Sequence, residues 1–258
     1  MIRMPAFVRL TIRNLFVNTD PGTLVFLLGL PALYLLVMGN MFESLIHAIP
    51  VGTSEISYPV FVAPGIIAIQ TFTAGNIGGG MLWADRRWGM FEQLMTGPFR
   101  RSDYLLGIVF LGVILSLAGS FIMVALSYFT TGNLMITVAN SWVVILTITL
   151  ATILFSSIFL ILSILVRTMQ AYQTITIFLF FILDFASTAF YSVTSLTPLP
   201  LRILSDANPL SYVSNILRDA TVFGITSSTM FDLELVLALT VIFFAISMPL
   251  YSRIKPGT

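Results

Sequence analysis

Residues 83–101, WADRRWGMFEQLMTGPFRR, hold six charged side chains in a chain whose charged fraction is only 9%. Elsewhere the groups that do chemistry are sparse. The single histidine, His47, stands near Glu43, so a Ser-His-Asp relay or a multi-histidine metal site lacks raw material. The only lysine, Lys255, lies near the C-terminus, and neither a G-x-x-x-x-G-K-[ST] phosphate loop nor a G-x-S-x-G elbow occurs. With no cysteine there are no disulfides or thiolate ligands, and the twelve methionines are scattered. Catalysis by this chain is therefore not expected. One acid is out of place. Asp184 interrupts a long apolar run, where an ionisable group costs about 2.5–3.5 kcal/mol at the bilayer centre and is a functional candidate by default.

The elements that must position these groups follow from composition. With 57% apolar residues and 22 Phe, the chain reads as an integral membrane protein. Crossing about 30 Å of hydrocarbon takes roughly 20 apolar residues. Six runs qualify, at about 23–42, 59–82, 104–129, 141–166, 171–191 and 230–251. They are continuously apolar rather than alternating, which favours helices over a β-barrel. The expected fold is all-α, a single transmembrane domain over 1–258 with six spans. The N-terminal stretch has no small-x-small cleavage site and is expected to stay attached. Ten of the twelve Lys and Arg, those of the two terminal segments and the connections at 83–103 and about 167, fall on one side, and Arg202 and Arg218 on the other. By the positive-inside rule both termini and residues 83–101 are cytoplasmic.

Within 83–101, Trp88, Phe91 and Leu94 or Met95 recur at helical steps, predicting a short amphipathic helix that Gly97-Pro98 ends. Arg86, Gly89 and Gln93 point away from its apolar face. Such a helix serves as an interfacial connector or as a docking surface. Near the N-terminus, Phe7, Val8, Leu10, Ile12 and Leu15 interleave with Arg3, Arg9 and Arg13, predicting an interfacial helix at about 4–18 on the anionic inner leaflet. Asp20-Pro21-Gly22 then turns the chain into the bilayer. In the fifth run Asp184, Ser187 or Thr188, and Tyr191 share a helical face with Gln173 and Thr174, and read equally as pathway lining or as packing. In the second run Gln70, Thr71, Thr73 and Asn76 precede Gly78-Gly79-Gly80, with Gly75 and Gly79 spaced for close helix approach. In the outer segment Asn208 caps a helix begun by Pro209 and closed by Gly224. Its apolar face is Leu210, Val213, Leu217 and Ala220, with Arg218 and Asp219 turned outward or toward each other. Too short to cross, it is expected to dip into the outer leaflet.

The pattern Arg86-x-x-Gly89-x-x-Glu92-x-Leu94 with Pro98, Arg101 and Gly107, followed by Asn208-Pro209-Leu210 and Leu217-Arg218 before the last run, resembles the membrane subunits of ABC-2 type transporters. This family includes drug-resistance and polysaccharide-export permeases. The chain departs from its pattern at Arg87 and Met90. The resemblance implies an exporter in the cell membrane that moves a drug, an amphipathic small molecule or a lipid-linked compound. A polysaccharide or teichoic-acid permease is the alternative, and a proton-coupled carrier using Asp184 a more distant one. It implies that ATP and Mg are bound by a separate ATPase subunit, that no cofactor is held by this chain and that nucleic acid is not a partner. A second permease chain, identical or homologous, and membrane lipid complete the partners. Arg86, Arg87 and Glu92 would then be polar contacts to the ATPase or braces, Trp88 and Phe91 membrane-side anchors beside Gly89, and the helix from Asn208 to Phe223 with Arg218 an outer re-entrant gate. Asp184, Thr188, Tyr191, Gln70 and Asn76 are the pathway candidates.

Overall fold

The computed structural model describes residues 4–43, 49–51, 54–132, 137–193 and 197–252. His47, Arg3, Arg253 and Lys255 lie outside them. Among the described residues the chain is predominantly helical, and five helices are long and apolar enough to cross a membrane. After α1 (Ala6–Asn18) come α2 (Pro21–Glu43), α3 (Tyr58–Arg87), α4 (Met90–Met95), α5 (Arg101–Thr131) and α6 (Val138–Leu165). Next are α7 (Met169–Phe185), α8 (Leu199–Ala207), α9 (Pro209–Arg218) and α10 (Ser227–Ser252). The five long apolar helices are α2, α3, α5, α6 and α10. The all-helical expectation needs one amendment. Strands β1 (Ile49–Val51) and β2 (Ser54–Ile56) pair antiparallel, Ile49 opposite Ile56, in the connection from α2 to α3.

Helix α3 is the centre of the fold, with 89% of its apolar window buried. It packs against α5 and α6, which also contact each other, while α10 lies on α6 and α1 on α5. Missing side chains make this approach possible. A Cβ on Gly75 would stand 2.8 Å from Phe155 Cβ, on Gly78 2.6 Å from Ile108 Cγ2, and on Gly79 2.6 Å from Phe159 Cβ. Phe72 fills the neighbouring layer between the rings of Phe155 and Phe159, at centroid distances of 5.2 and 5.0 Å. At 30 residues, α3 is about 45 Å long and overruns a 30 Å hydrocarbon layer. Its last turn therefore carries the charges Asp85, Arg86 and Arg87 out of the apolar zone.

Helix α2 starts with the carboxylate of Asp20 accepting the Thr23 backbone N–H at 3.1 Å and its hydroxyl at 2.6 Å. Two wide π turns, Val25–Gly29 and Tyr34–Met38, flank Pro31, which has no N–H to give to the helical ladder. The fifth apolar run is shorter than its sequence suggests. Helix α7 stops at Phe185, not Tyr191, and at 17 residues covers about 25 Å. Local bonding ends it. The Ser187 hydroxyl donates to the Asp184 carbonyl at 2.8 Å, and the Tyr191 hydroxyl to the Phe185 carbonyl at 2.6 Å. Helix α1 forms as expected and lays Leu10 against Gly107 of α5, where Thr11 Oγ1 reaches the Gly107 carbonyl at 3.4 Å. Its Ile12, Phe16 and Val17 stay exposed, and the Arg9 guanidinium rests over the Phe99 ring at 5.3 Å.

Candidate functional site

At the charged end of α3 the chain makes a tight reversal. Gly89 takes a left-handed conformation, φ 71°, which a residue with a Cβ adopts only with strain. The expected continuous helix from Asp85 to Met95 is thus broken at Trp88–Gly89 into the end of α3 and the short α4. The break parts two residues that helical spacing puts on one face. Phe91 is 0% exposed, whereas Trp88 is 82% exposed and touches no core. Phe91 is therefore a core residue, not a membrane-side anchor. It lies edge-on to Tyr104 at 5.4 Å and to Tyr251 at 6.0 Å, and those two rings stack at 6.3 Å. The Tyr104 hydroxyl donates to Asp85 Oδ2 at 2.6 Å, and Arg101 Nη1 to the Ser252 carbonyl at 2.6 Å. One aromatic knot so binds α4 to the start of α5 and the end of α10. Tyr104 and Tyr251 were not singled out by sequence, since their partners lie far along the chain.

Beside α4 opens a cleft of about 850 Å³. Trp83, Arg86, Arg87, Gly89 and Glu92 form one wall, and residues 164–167, ending with Arg167, form the other. Arg86 Nη1 donates to the Ser163 carbonyl at 3.1 Å, satisfying one of the open carbonyls at the end of α6 and pinning the two walls together. Arg87 and Arg167 are exposed. The first arginine is a brace and the other two are free to meet a solute. Leading out of the reversal, the Asp103 carboxylate accepts the Arg100 backbone N–H at 2.9 Å and caps α5.

At the opposite end of the helices stands the second candidate group. Asn208 caps α9 as expected: its Oδ1 accepts the Leu210 N–H at 2.9 Å, while its Nδ2 donates to the Leu183 carbonyl of α7 at 2.7 Å. Leu210, Val213, Leu217 and Ala220 are buried as the apolar face. Gly224, φ 93°, closes the π turn of residues Asp219–Phe223. Arg218 reverses the expectation. Rather than facing outward or pairing with Asp219, it is 5% exposed and points into the fold. It donates to the Phe61 carbonyl (3.2 Å), the Thr188 carbonyl (2.7 Å) and Asn215 Oδ1 (3.1 Å), with its guanidinium 3.9 Å from the Phe61 ring centre. Burial lowers its pKa to about 10, so it stays protonated at neutral pH. Asp219 instead accepts the Thr229 hydroxyl at 2.7 Å. Thr188 Oγ1 bonds Ser211 O and Asn215 Oδ1, at 3.2 and 2.8 Å, and ties the turn after α7 to α9. The preceding helix α8, with exposed Leu199, Leu201, Ile203 and Leu204, has no counterpart in the sequence reading.

Between the two ends lie the remaining candidates, and they do not form one row. Asn76 Oδ1 accepts the Tyr172 hydroxyl at 2.9 Å, joining α3 to α7. Gln70 is fully buried against Gly119 of α5, neither amide atom having a partner among the described residues. Asp184 is 1% exposed and both carboxylate oxygens likewise lack a partner. Gln173 and Thr174, expected to continue its face, are exposed on the outside of α7. Tyr191 lies past the helix end, in the turn.

Comparison with known proteins names the architecture. The sequence profile of the ABC-2 type transporter family matches residues 7–222. A protein of Pyropia yezoensis named as a candidate transport permease, ycf38, is 29% identical over 198 residues, which cover 74% of this chain and 65% of that protein, less than two thirds of its length.

Proposed function

We propose that this chain, which belongs to the ABC-2 type transporter family, is the permease subunit of an ATP-driven exporter worked by a separate ATPase. The multi-pass membrane character follows from five long apolar helices and the family. On this reading α7 is the sixth span, being within the roughly 17–25 residues that cross a bilayer. Both termini and α4 are cytoplasmic, where most of the arginines fall, and a second permease chain, identical or homologous, faces this one across the pathway. The cargo is an amphipathic small molecule, a drug or a lipid-linked compound leaving the cytoplasm.

The observation that carries the reading is the reversal at 83–101. A chain without a phosphate loop presents one charged, concave element, and that element is keyed into the core through Phe91, Tyr104 and Tyr251. A force applied to α4 reaches α5 and α10 through packed side chains instead of through a loose loop. A polysaccharide or teichoic-acid cargo is the second reading, favoured by the exposed rings of Phe178, Phe181 and Phe185 along one side of α7. Two measurements test the function. Purification in mild detergent should recover an ATPase with the chain, and Glu92→Lys should abolish export while leaving membrane insertion intact. A solitary chain that transports unaided, or unchanged export by the variant, refutes it.

A further inference from the structure

We infer that Asp184 is the counter-ion for a cationic group of the cargo, so that the compound carried is an amphipathic cation taken up at the seam between α2 and α7. This rests on the proposed function and deepens it by naming the charge of the cargo. The donors next to Asp184 are all spent elsewhere. The Ser187 hydroxyl donates to the backbone carbonyl of Asp184 at 2.8 Å, and Asn208 Nδ2 to the carbonyl of Leu183, the preceding residue, at 2.7 Å. The Thr188 hydroxyl bonds Ser211 and Asn215, and Arg218 Nη2 stops at the Thr188 carbonyl. Both carboxylate oxygens are thus left without a partner among the described residues, on a side chain 1% exposed. An acid kept for packing would take one of these donors, because a carboxyl unmet in apolar surroundings is costly. A cation brought by a ligand supplies the partner that the fold withholds.

The surroundings fit the rest of such a molecule. Tyr34 of α2 lies within electrostatic reach of Asp184. Its ring stands edge-on to that of Phe190 at 5.5 Å, and Phe185 lies 6.2 Å beyond Phe190. Aromatic rings beside a carboxylate suit an organic cation, which is drawn by the ring faces as well as by the opposite charge. Phe181 and Phe185, half exposed on the adjoining face of α7, offer an apolar surface to the body of the molecule. A sugar chain asks for many polar contacts, whereas this seam sets one acid among rings. A metal ion asks for several ligands, and no group of three His, Asp or Glu able to hold one occurs among the described residues. The seam is also the part of the fold most easily parted. Tyr34 begins the second π turn of α2, Tyr34–Met38, a wide turn of a kind frequent at functional sites. Only 24% of the apolar window of α2 is buried. A shift of α2 therefore uncovers Asp184 while α3, α5 and α6 stay packed.

The test is equilibrium dialysis of tetraphenylphosphonium against the chain purified in mild detergent, with protein-free micelles as the blank and tetraphenylborate, of the same shape and opposite charge, as the control. Wild type should bind the cation and not the borate. Asp184→Asn keeps the shape and removes the charge, and should weaken cation binding at least about tenfold while the chain stays monodisperse. Asp184→Glu should keep the binding that the asparagine variant loses. Tyr34→Leu should weaken it about three- to tenfold, and Tyr34→Phe, which keeps the ring, should leave it near wild type. Cation binding by Asp184→Asn as tight as that of wild type overturns the inference, as does a wild type that binds neither ion or both alike. The readout needs no ATPase, so the two readings fail separately. Cation binding through Asp184 in a chain that recovers no ATPase refutes the exporter and leaves the site, whereas a recovered ATPase beside an indifferent Asp184→Asn refutes the site and leaves the exporter.

Discussion

Gly79 and Gly80 are neighbours on α3 with opposite fates if a methyl group is added. At Gly79 a Cβ would stand 2.6 Å from each of Phe159 Cβ, the Phe159 carbonyl oxygen and the Tyr172 hydroxyl. At Gly80 it would meet only Tyr172, at 3.9 Å or beyond, which is ordinary contact. Alanine gains roughly 0.5–1 kcal/mol over glycine within a helix at either position. At Gly79 that gain opposes overpacking of about 1–3 kcal/mol. Displacing the Tyr172 hydroxyl from Asn76 adds about 0.5–1.5 kcal/mol. Gly79→Ala should therefore destabilise by about 1–3 kcal/mol and Gly80→Ala should stabilise slightly, a gap of about 2–4 kcal/mol. At about 2–4 °C per kcal/mol for a chain of this size, the midpoints of thermal unfolding in mild detergent should differ by roughly 4–16 °C. Adding Tyr172→Phe to Gly79→Ala should recover only part of the loss, because the contacts with Phe159 remain. Equal midpoints for the two alanine variants would refute the close approach of α3 to α6 on which the core rests.

Two further variants probe the outer end. Arg218→Met removes three charge-assisted hydrogen bonds of about 1.5–3 kcal/mol each and a ring contact of about 2 kcal/mol, set against several kcal/mol of guanidinium desolvation. The expected net loss is about 2–4 kcal/mol, and Arg218→Lys should not restore it, because one ammonium cannot span the Phe61 and Thr188 carbonyls and Asn215 together. A lysine variant as heat-stable as wild type would refute the brace. Asp184→Asn removes a buried carboxyl that has no partner among the described residues, so stability should hold or rise while substrate range or gating shifts. Unaltered transport of several substrates would return Asp184 to packing.

Where the sequence was readable, the signal was local. Long apolar runs marked five long helices and the core of α7, and the Asn208-Pro209 cap placed the start of α9 while the Gly224 stop placed the end of the π turn that follows it, because capping is settled by neighbours in the chain. Where the reading failed, a contact distant in sequence or a backbone conformation decided the outcome. Helical spacing put Trp88 and Phe91 on one face, but the left-handed turn at Gly89 resets the phase between them. Arg218 read as turned outward or toward Asp219 because its acceptors, Phe61 and Thr188, are 157 and 30 residues away. The overlong fifth span had the same cause in miniature. Phe190 and Tyr191 look like a continued apolar run, yet the Ser187 and Tyr191 hydroxyls cap the carbonyls that another turn would have used. Arg167 carried no local signal at all, as an isolated charge between two apolar runs.

The packing also decides where a route across the membrane can run. Gly75 and Gly79 bring α6 so close to α3 that Phe155 and Phe159 fill the contact, and Gln70 is pressed onto Gly119 on the other side. Polar residues of α3 therefore serve helix contacts, and a path through the middle of one chain would have to break the most buried element of the fold. The uncovered surfaces lie elsewhere. Only 24% of the apolar window of α2 and 22% of that of α10 is buried, and α7 exposes Ile177, Phe178, Phe181 and Phe185. On the proposed function, a route bounded by such faces would be closed by the second permease chain. Its moving parts would then be the thinly held α2 and α7, while α3, α5 and α6 form the rigid body to which α4 is fastened. Work delivered at the cleft would thus move a packed block as a unit, and the gap between blocks, not the core of either, would open.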